Sequence, residues 1–69
     1  MRHLFIVNPA AGDGKHTAEL SERISRAVLN WDANADFEIY QTKAPLDAIR
    51  KIEEEAKKHA ALRVYACGG

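Results

Sequence analysis

A chain of 69 residues is short for a domain. At that size folding buries only about 60% of the surface the unfolded chain exposes, so stability is expected to be marginal. Ten basic and ten acidic residues give a formal net charge of zero, which excludes a global electrostatic grip on nucleic acid or on an anionic membrane. The single cysteine, Cys67, excludes an internal disulfide, offers no partner for a metal pair and fits a reducing cytosol.

The amino end carries one basic residue, Arg2, and the apolar run Leu4-Phe5-Ile6-Val7. That run is too short for a signal-peptide core or a membrane span, so a soluble chain beginning with its own first strand is expected. The run is rich in β-branched and aromatic residues and reads as a strand buried on both faces, the kind found in the middle of a parallel sheet. From about residue 15 to residue 30, Leu20, Ile24, Ala27, Val28 and Trp31 recur at helical spacing, with Glu19, Glu22, Arg23 and Arg26 on the other sides, the pattern of an amphipathic helix.

Residues 32–35 are polar and small and form a connection. Beyond them Phe37, Ile39 and Gln41 alternate with Glu38, Tyr40 and Thr42, the two-residue period of a strand nearer an edge. Pro45 suits the first turn of a second helix, and Asp47 complements the helix dipole there. Leu46, Ile49, Ile52 and Ala56 make its expected apolar stripe. Glu53 with Lys57 and Glu54 with Lys58 read as ion pairs on a solvated face, each worth about 0.2–0.5 kcal/mol. Residues 62–67 read as a third strand that runs into Gly68-Gly69, the start of a glycine turn. No repeat, low-complexity segment or linker interrupts the chain.

The order strand, helix, strand, helix, strand predicts an α/β fold: a βαβαβ, three-layer, Rossmann-like half of a doubly wound parallel sheet. In such sheets ligands bind beyond the carboxyl ends of the strands. Residues 8–15, 42–44 and 68–69 are expected to converge on that edge.

The first of these segments reads Asn8-Pro9-Ala10-Ala11-Gly12-Asp13-Gly14-Lys15. Proline fixes φ and removes a donor, which ends the strand, and the small residues after it leave the main chain bare. Backbone N–H groups are then able to approach an anion, and a helix starting near Lys15 aims its N-terminal amides at the same place. A plain strand-to-helix turn is the competing reading. The known glycine loops do not match. A P-loop requires glycine where Pro9 stands and a hydroxyl where His16 stands, and the dinucleotide fingerprint requires a third glycine where Thr17 stands.

Residues 8–15 resemble the NPxxGxGK opening of the diacylglycerol kinase catalytic-domain family, which includes bacterial lipid kinases and the sphingosine and ceramide kinases. Two further markers fit in spacing: Thr42 at the end of the second strand, and Gly68-Gly69 after Val64-Tyr65-Ala66-Cys67, where the family's GGDGT motif begins. The resemblance covers the whole chain, though only the first motif is complete. It implies that residues 1–69 are the N-terminal part of the ATP-binding domain, cut inside GGDGT, with the β-rich lipid-binding domain and the catalytic carboxylates outside this stretch.

The resemblance further implies that Asn8, Pro9, Ala10, Ala11, Gly12, Thr42, Gly68 and Gly69 hold ATP in the parent protein. Magnesium would bridge the phosphates, and a lipid hydroxyl, of diacylglycerol or a related alcohol, would attack the γ-phosphate. No catalytic base and no protein metal ligand is assigned within these residues, and the fragment alone is expected to be inactive. A cytoplasmic setting follows, with room for peripheral membrane contact and for a homo-oligomer, and without a nucleic-acid partner.

Lys15 is open between a phosphate contact and a solvated first-turn lysine. Asp13 reads as a turn former, since an anion beside phosphates is unfavourable without an intervening cation. His3, His16 and His59 lack ligand spacing and read as solvated or strand-flanking, Cys67 as a small buried residue, and Trp31 and Tyr40 as packing. Two rival readings stand beside the lipid kinase: an NAD kinase-like enzyme, which shares Gly-Gly-Asp-Gly, and a non-catalytic α/β module without nucleotide affinity. An incomplete sheet also predicts an uncovered edge and uncovered apolar surface.

Overall fold

A computed structural model describes residues 1–9, 15–44 and 46–67, with the side chains of Lys15 and His16 outside that description. In chain order the elements are β1 (Arg2–Val7), α1 (Lys15–Trp31), β2 (Asp36–Gln41), α2 (Asp47–Lys58) and β3 (Leu62–Cys67). The strands form one parallel sheet in the order β2-β1-β3, so the expected α/β architecture is the one found. The most continuously apolar strand is central and the alternating β2 lies at an edge.

Strand pleating sends successive side chains of β1 to opposite faces, and each face meets one helix. Arg2, at the start of β1, bonds Glu55 of α2, which places Leu4 and Ile6 on the α2 side. His3 and Phe5 line a small cleft with Ala27, Val28 and Trp31 of α1, which places Val7 on the α1 side. Leu4 is fully buried, and Val7 and Ile6 nearly so. Around this core the α1 face is aromatic: Phe5 stacks on Tyr65 at 4.4 Å between ring centroids and meets Phe37 edge-on.

The helices begin and end for local reasons. After α1, Asp32 turns the chain, its carboxylate accepting the Asn34 N–H at 2.9 Å and its carbonyl the Ala35 N–H at 3.1 Å, a side-chain-stabilised turn of the kind aspartate favours. In α2, Asp47 stands in the first turn and Lys57 and Lys58 in the last, each sign placed to complement the dipole.

Three expectations are corrected. The face that α2 turns to the sheet is not the stripe of Leu46, Ile49, Ile52 and Ala56. Leu46, Ile49 and Ala56 are exposed, only Ile52 is half-buried, and the two buried residues of the helix are Asp47 and Glu55. The reason is that both carboxylates find partners there, Arg2 of β1 for Glu55 and the Tyr40 hydroxyl, the Lys43 amide and Arg50 for Asp47, so they are drawn inward. His3 is neither solvated nor flanking: it is buried in β1, with its Nδ1 2.9 Å from the Tyr65 hydroxyl and its ring edge-on to Trp31. Glu54 is taken by Arg50, although Glu53, Glu54, Lys57 and Lys58 all lie on an exposed face as expected.

Candidate functional site

The register sets Val7 beside Gln41 on one side and beside Cys67 on the other, so all three strands end at one edge. Where β1 and β2 leave the sheet, Asn8, Pro9, Thr42, Lys43 and Ala44, together with Ile6 and Ala48, line a cleft of about 680 Å³. That volume lies within the range of small-molecule sites, about 300–1,000 Å³. Asn8, Pro9 and Thr42, singled out far apart in the sequence, are therefore brought together. Thr42 is fastened to the first strand: its N–H donates to the Val7 carbonyl at 2.9 Å, and its hydroxyl reaches the same oxygen at 3.4 Å.

The border holds its shape through a residue that the sequence reading valued only for its charge. Asp47 is 7% exposed. Its Oδ2 accepts the Tyr40 hydroxyl at 2.9 Å and the Lys43 N–H at 2.9 Å, while Arg50 donates to its Oδ1. The Lys43 amide, followed by Tyr40 and Arg50, holds the Asp47 carboxyl below the usual carboxylate range, and the bond to Asp47 raises the Tyr40 phenol. A signal was available in the sequence, since an aspartate just inside a helix start is well placed to accept amides of the preceding loop.

At the opposite end of the strands Arg2 joins Asp36, Glu38 and Glu55, and Lys51 joins Glu38 and Glu55. Burial alone would push the Glu55 carboxyl up, but Arg2, Lys51 and His59 outweigh it and hold the carboxyl below its ordinary value. This network lies away from the cleft and joins α2 to the sheet. Sequence reasoning missed it because its members are distant along the chain.

The remaining candidates divide simply. Ala10, Ala11, Gly12, Asp13, Gly68 and Gly69 lie outside the described residues, as does the side chain of Lys15, whose backbone begins α1. Cys67 is half-buried at the end of β3, and burial pushes its thiol up, the opposite of what an activated thiolate requires. Among the described residues no three His, Cys, Asp or Glu side chains are grouped to hold a metal ion, and no helix is long and apolar enough to cross a membrane.

Chemically, the cleft offers the apolar side chains of Ile6, Ala44 and Ala48 with an amide, a hydroxyl and a lysine among them. Such a lining suits a ligand that is part apolar and part anionic. Compared with known families, the chain matches the model described as "Diacylglycerol kinase catalytic domain" over residues 2–69. No curated protein and no solved structure matches it.

Proposed function

The chain belongs to the diacylglycerol kinase catalytic-domain family, and from that membership we propose that it forms the ATP-binding part of a lipid kinase that transfers the γ-phosphate to a lipid hydroxyl. The observation that carries the reading is the meeting of Asn8, Pro9 and Thr42 around one cleft at the carboxyl edge of a parallel sheet, the place where such sheets take ligands.

Each group has a task in this reading. Ile6, Ala44 and Ala48 give the adenine an apolar wall. Asn8 and the Thr42 hydroxyl supply polar contacts, and Lys43 adds positive charge for the phosphates. By family pattern Ala10, Ala11, Gly12, Gly68 and Gly69 would join in holding ATP, with Lys15 adding charge; all of these lie outside the described residues or, for Lys15, have the side chain outside them. Phosphoryl transfer depends on such positioning and charge neutralisation more than on covalent chemistry by the protein. The described border carries no carboxylate of its own, so these residues do not suit magnesium as direct ligands. The lipid acceptor is met by groups other than those of the cleft.

The test is a calorimetric titration of the full-length protein with Mg–ATP, wild type against Gly12→Val, with thermal melts showing both folded. A side chain at residue 12 blocks close approach of the backbone to the phosphates, so the variant is expected to lose tenfold or more in affinity, about 1.4 kcal/mol. Equal binding by both would move the site away from this turn.

A further inference from the structure

Asp47 is absent from the cleft lining, yet its oxygens are committed to the chain that forms the border. We infer that Asp47 is a positioning residue for the nucleotide: bonded to Tyr40, to the Lys43 amide and to Arg50, it sets residues 42–44 at the spacing from Asn8 and Pro9 that the ligand needs. The inference rests on the ATP reading above.

The geometry is specific. Tyr40 belongs to β2 and is paired with Ile6 in the central strand, so its backbone is anchored in the sheet. Lys43 lies just past the strand and borders the cleft. One oxygen, Asp47 Oδ2, accepts from both at 2.9 Å, which ties the loop amide to the strand. Between them Thr42 is bound to the Val7 carbonyl, and the Asp47 N–H returns to the Ala44 carbonyl at 3.1 Å.

Connecting loops are ordinarily the mobile part of a fold. Here the loop after β2 is held from the strand before it, the strand beside it and the helix after it. Arg50 pairs with Oδ1, which offsets the Asp47 charge and leaves Oδ2 to the loop amide and the Tyr40 hydroxyl. The helix thus spends a buried carboxylate on the loop rather than on the ligand, and positioning of this kind governs how well a bound group is held for reaction.

The experiment measures Mg–ATP affinity by calorimetry on the full-length protein, at a temperature where melts show every variant folded. Asp47→Ala is expected to weaken binding about tenfold. Asp47→Asn, which keeps an acceptor for the Lys43 amide, should return to within about threefold of wild type. Glu54→Gln, which removes the charge of another Arg50 partner and leaves Asp47 intact, should match wild type. A merely structural Asp47 lowers the melting temperature of Asp47→Ala and leaves the affinity of the folded protein unchanged. That result, with wild type binding ATP, overturns this inference alone. Equal weakening in Glu54→Gln also overturns it, by showing a diffuse charge effect. Failure of wild type to bind ATP overturns both readings. If Asp47→Ala does not fold, Tyr40→Phe carries the test through the loss of one bond to Oδ2: weaker binding supports the inference and unchanged binding overturns it.

Discussion

Glu55 shows how much one side chain decides in so small a core. It is 3% exposed, and a carboxylate in that position is tolerated only when it is paired and hydrogen-bonded. Arg2 supplies the bond at 3.1 Å and Lys51 a second charge at 3.8 Å. Its folded pKa lies below the ordinary value near 4.5, which fixes the sign of its pH dependence. The contribution is fully present above that ordinary value and disappears as the pH falls through the lower, folded one. Glu55→Gln should therefore be less stable than wild type at pH 7 by about 1.5–3 kcal/mol, the worth of a charged hydrogen bond. The two should converge in acid. Urea denaturation of both proteins from pH 7 to pH 3 measures the gap, and a gap that stays constant with pH would show that the charge contributes nothing.

The same contrast governs α2 as an element. A helix is expected to turn its apolar residues to the core, and the hydropathy pattern here points to Leu46, Ile49, Ile52 and Ala56. The helix instead seats Asp47 and Glu55 against the sheet and leaves Leu46 and Ile49 more than half exposed. Because little apolar area is lost on truncation, Leu46→Ala and Ile49→Ala should each change stability by no more than about 0.5 kcal/mol, against about 2–5 kcal/mol for a buried site. Chemical denaturation of the two variants decides between the faces. Local pattern was enough for β1, where four apolar residues in a row leave a buried strand as the simplest reading, and for α1, whose apolar spacing is regular. It was not enough for α2, because the partners that make a buried carboxylate tolerable, Arg2 for Glu55 and Tyr40 for Asp47, come from other elements. The cleft was legible in part for the same reason. Asn8, Pro9 and Thr42 announce themselves by turn chemistry and by family pattern, whereas the support from Asp47 depends on where Tyr40 and Lys43 lie after folding.

At the scale of the whole molecule, both helical layers meet on a single strand. The buried hydrophobic residues among those described are Leu4, Ile6 and Val7, all in β1, with Leu4 and Ile6 turned to α2 and Val7 to α1. Among the described residues neither helix contributes a buried hydrophobic residue of its own, so the layers should not unfold separately. A domain of this size has about 0.05–0.15 kcal/mol of stability per residue, and removing the Leu4 side chain costs about 2–5 kcal/mol, a large part of the total. Leu4→Ala should therefore shift the urea midpoint strongly while the transition remains two-state. Trp31 provides the reporter: it is 70% exposed, but its ring meets the buried His3 edge-on, across the sheet from Leu4, so release of α1 removes that contact. Its fluorescence follows the α1 layer, and far-UV circular dichroism follows both helices. Coincident transitions by the two probes, both displaced by a substitution on the α2 side, are the outcome that a shared central strand requires. If the fluorescence midpoint stayed at its wild-type value while the dichroism moved, the layers would be independent, and β1 would be only the strand between them rather than the core of both.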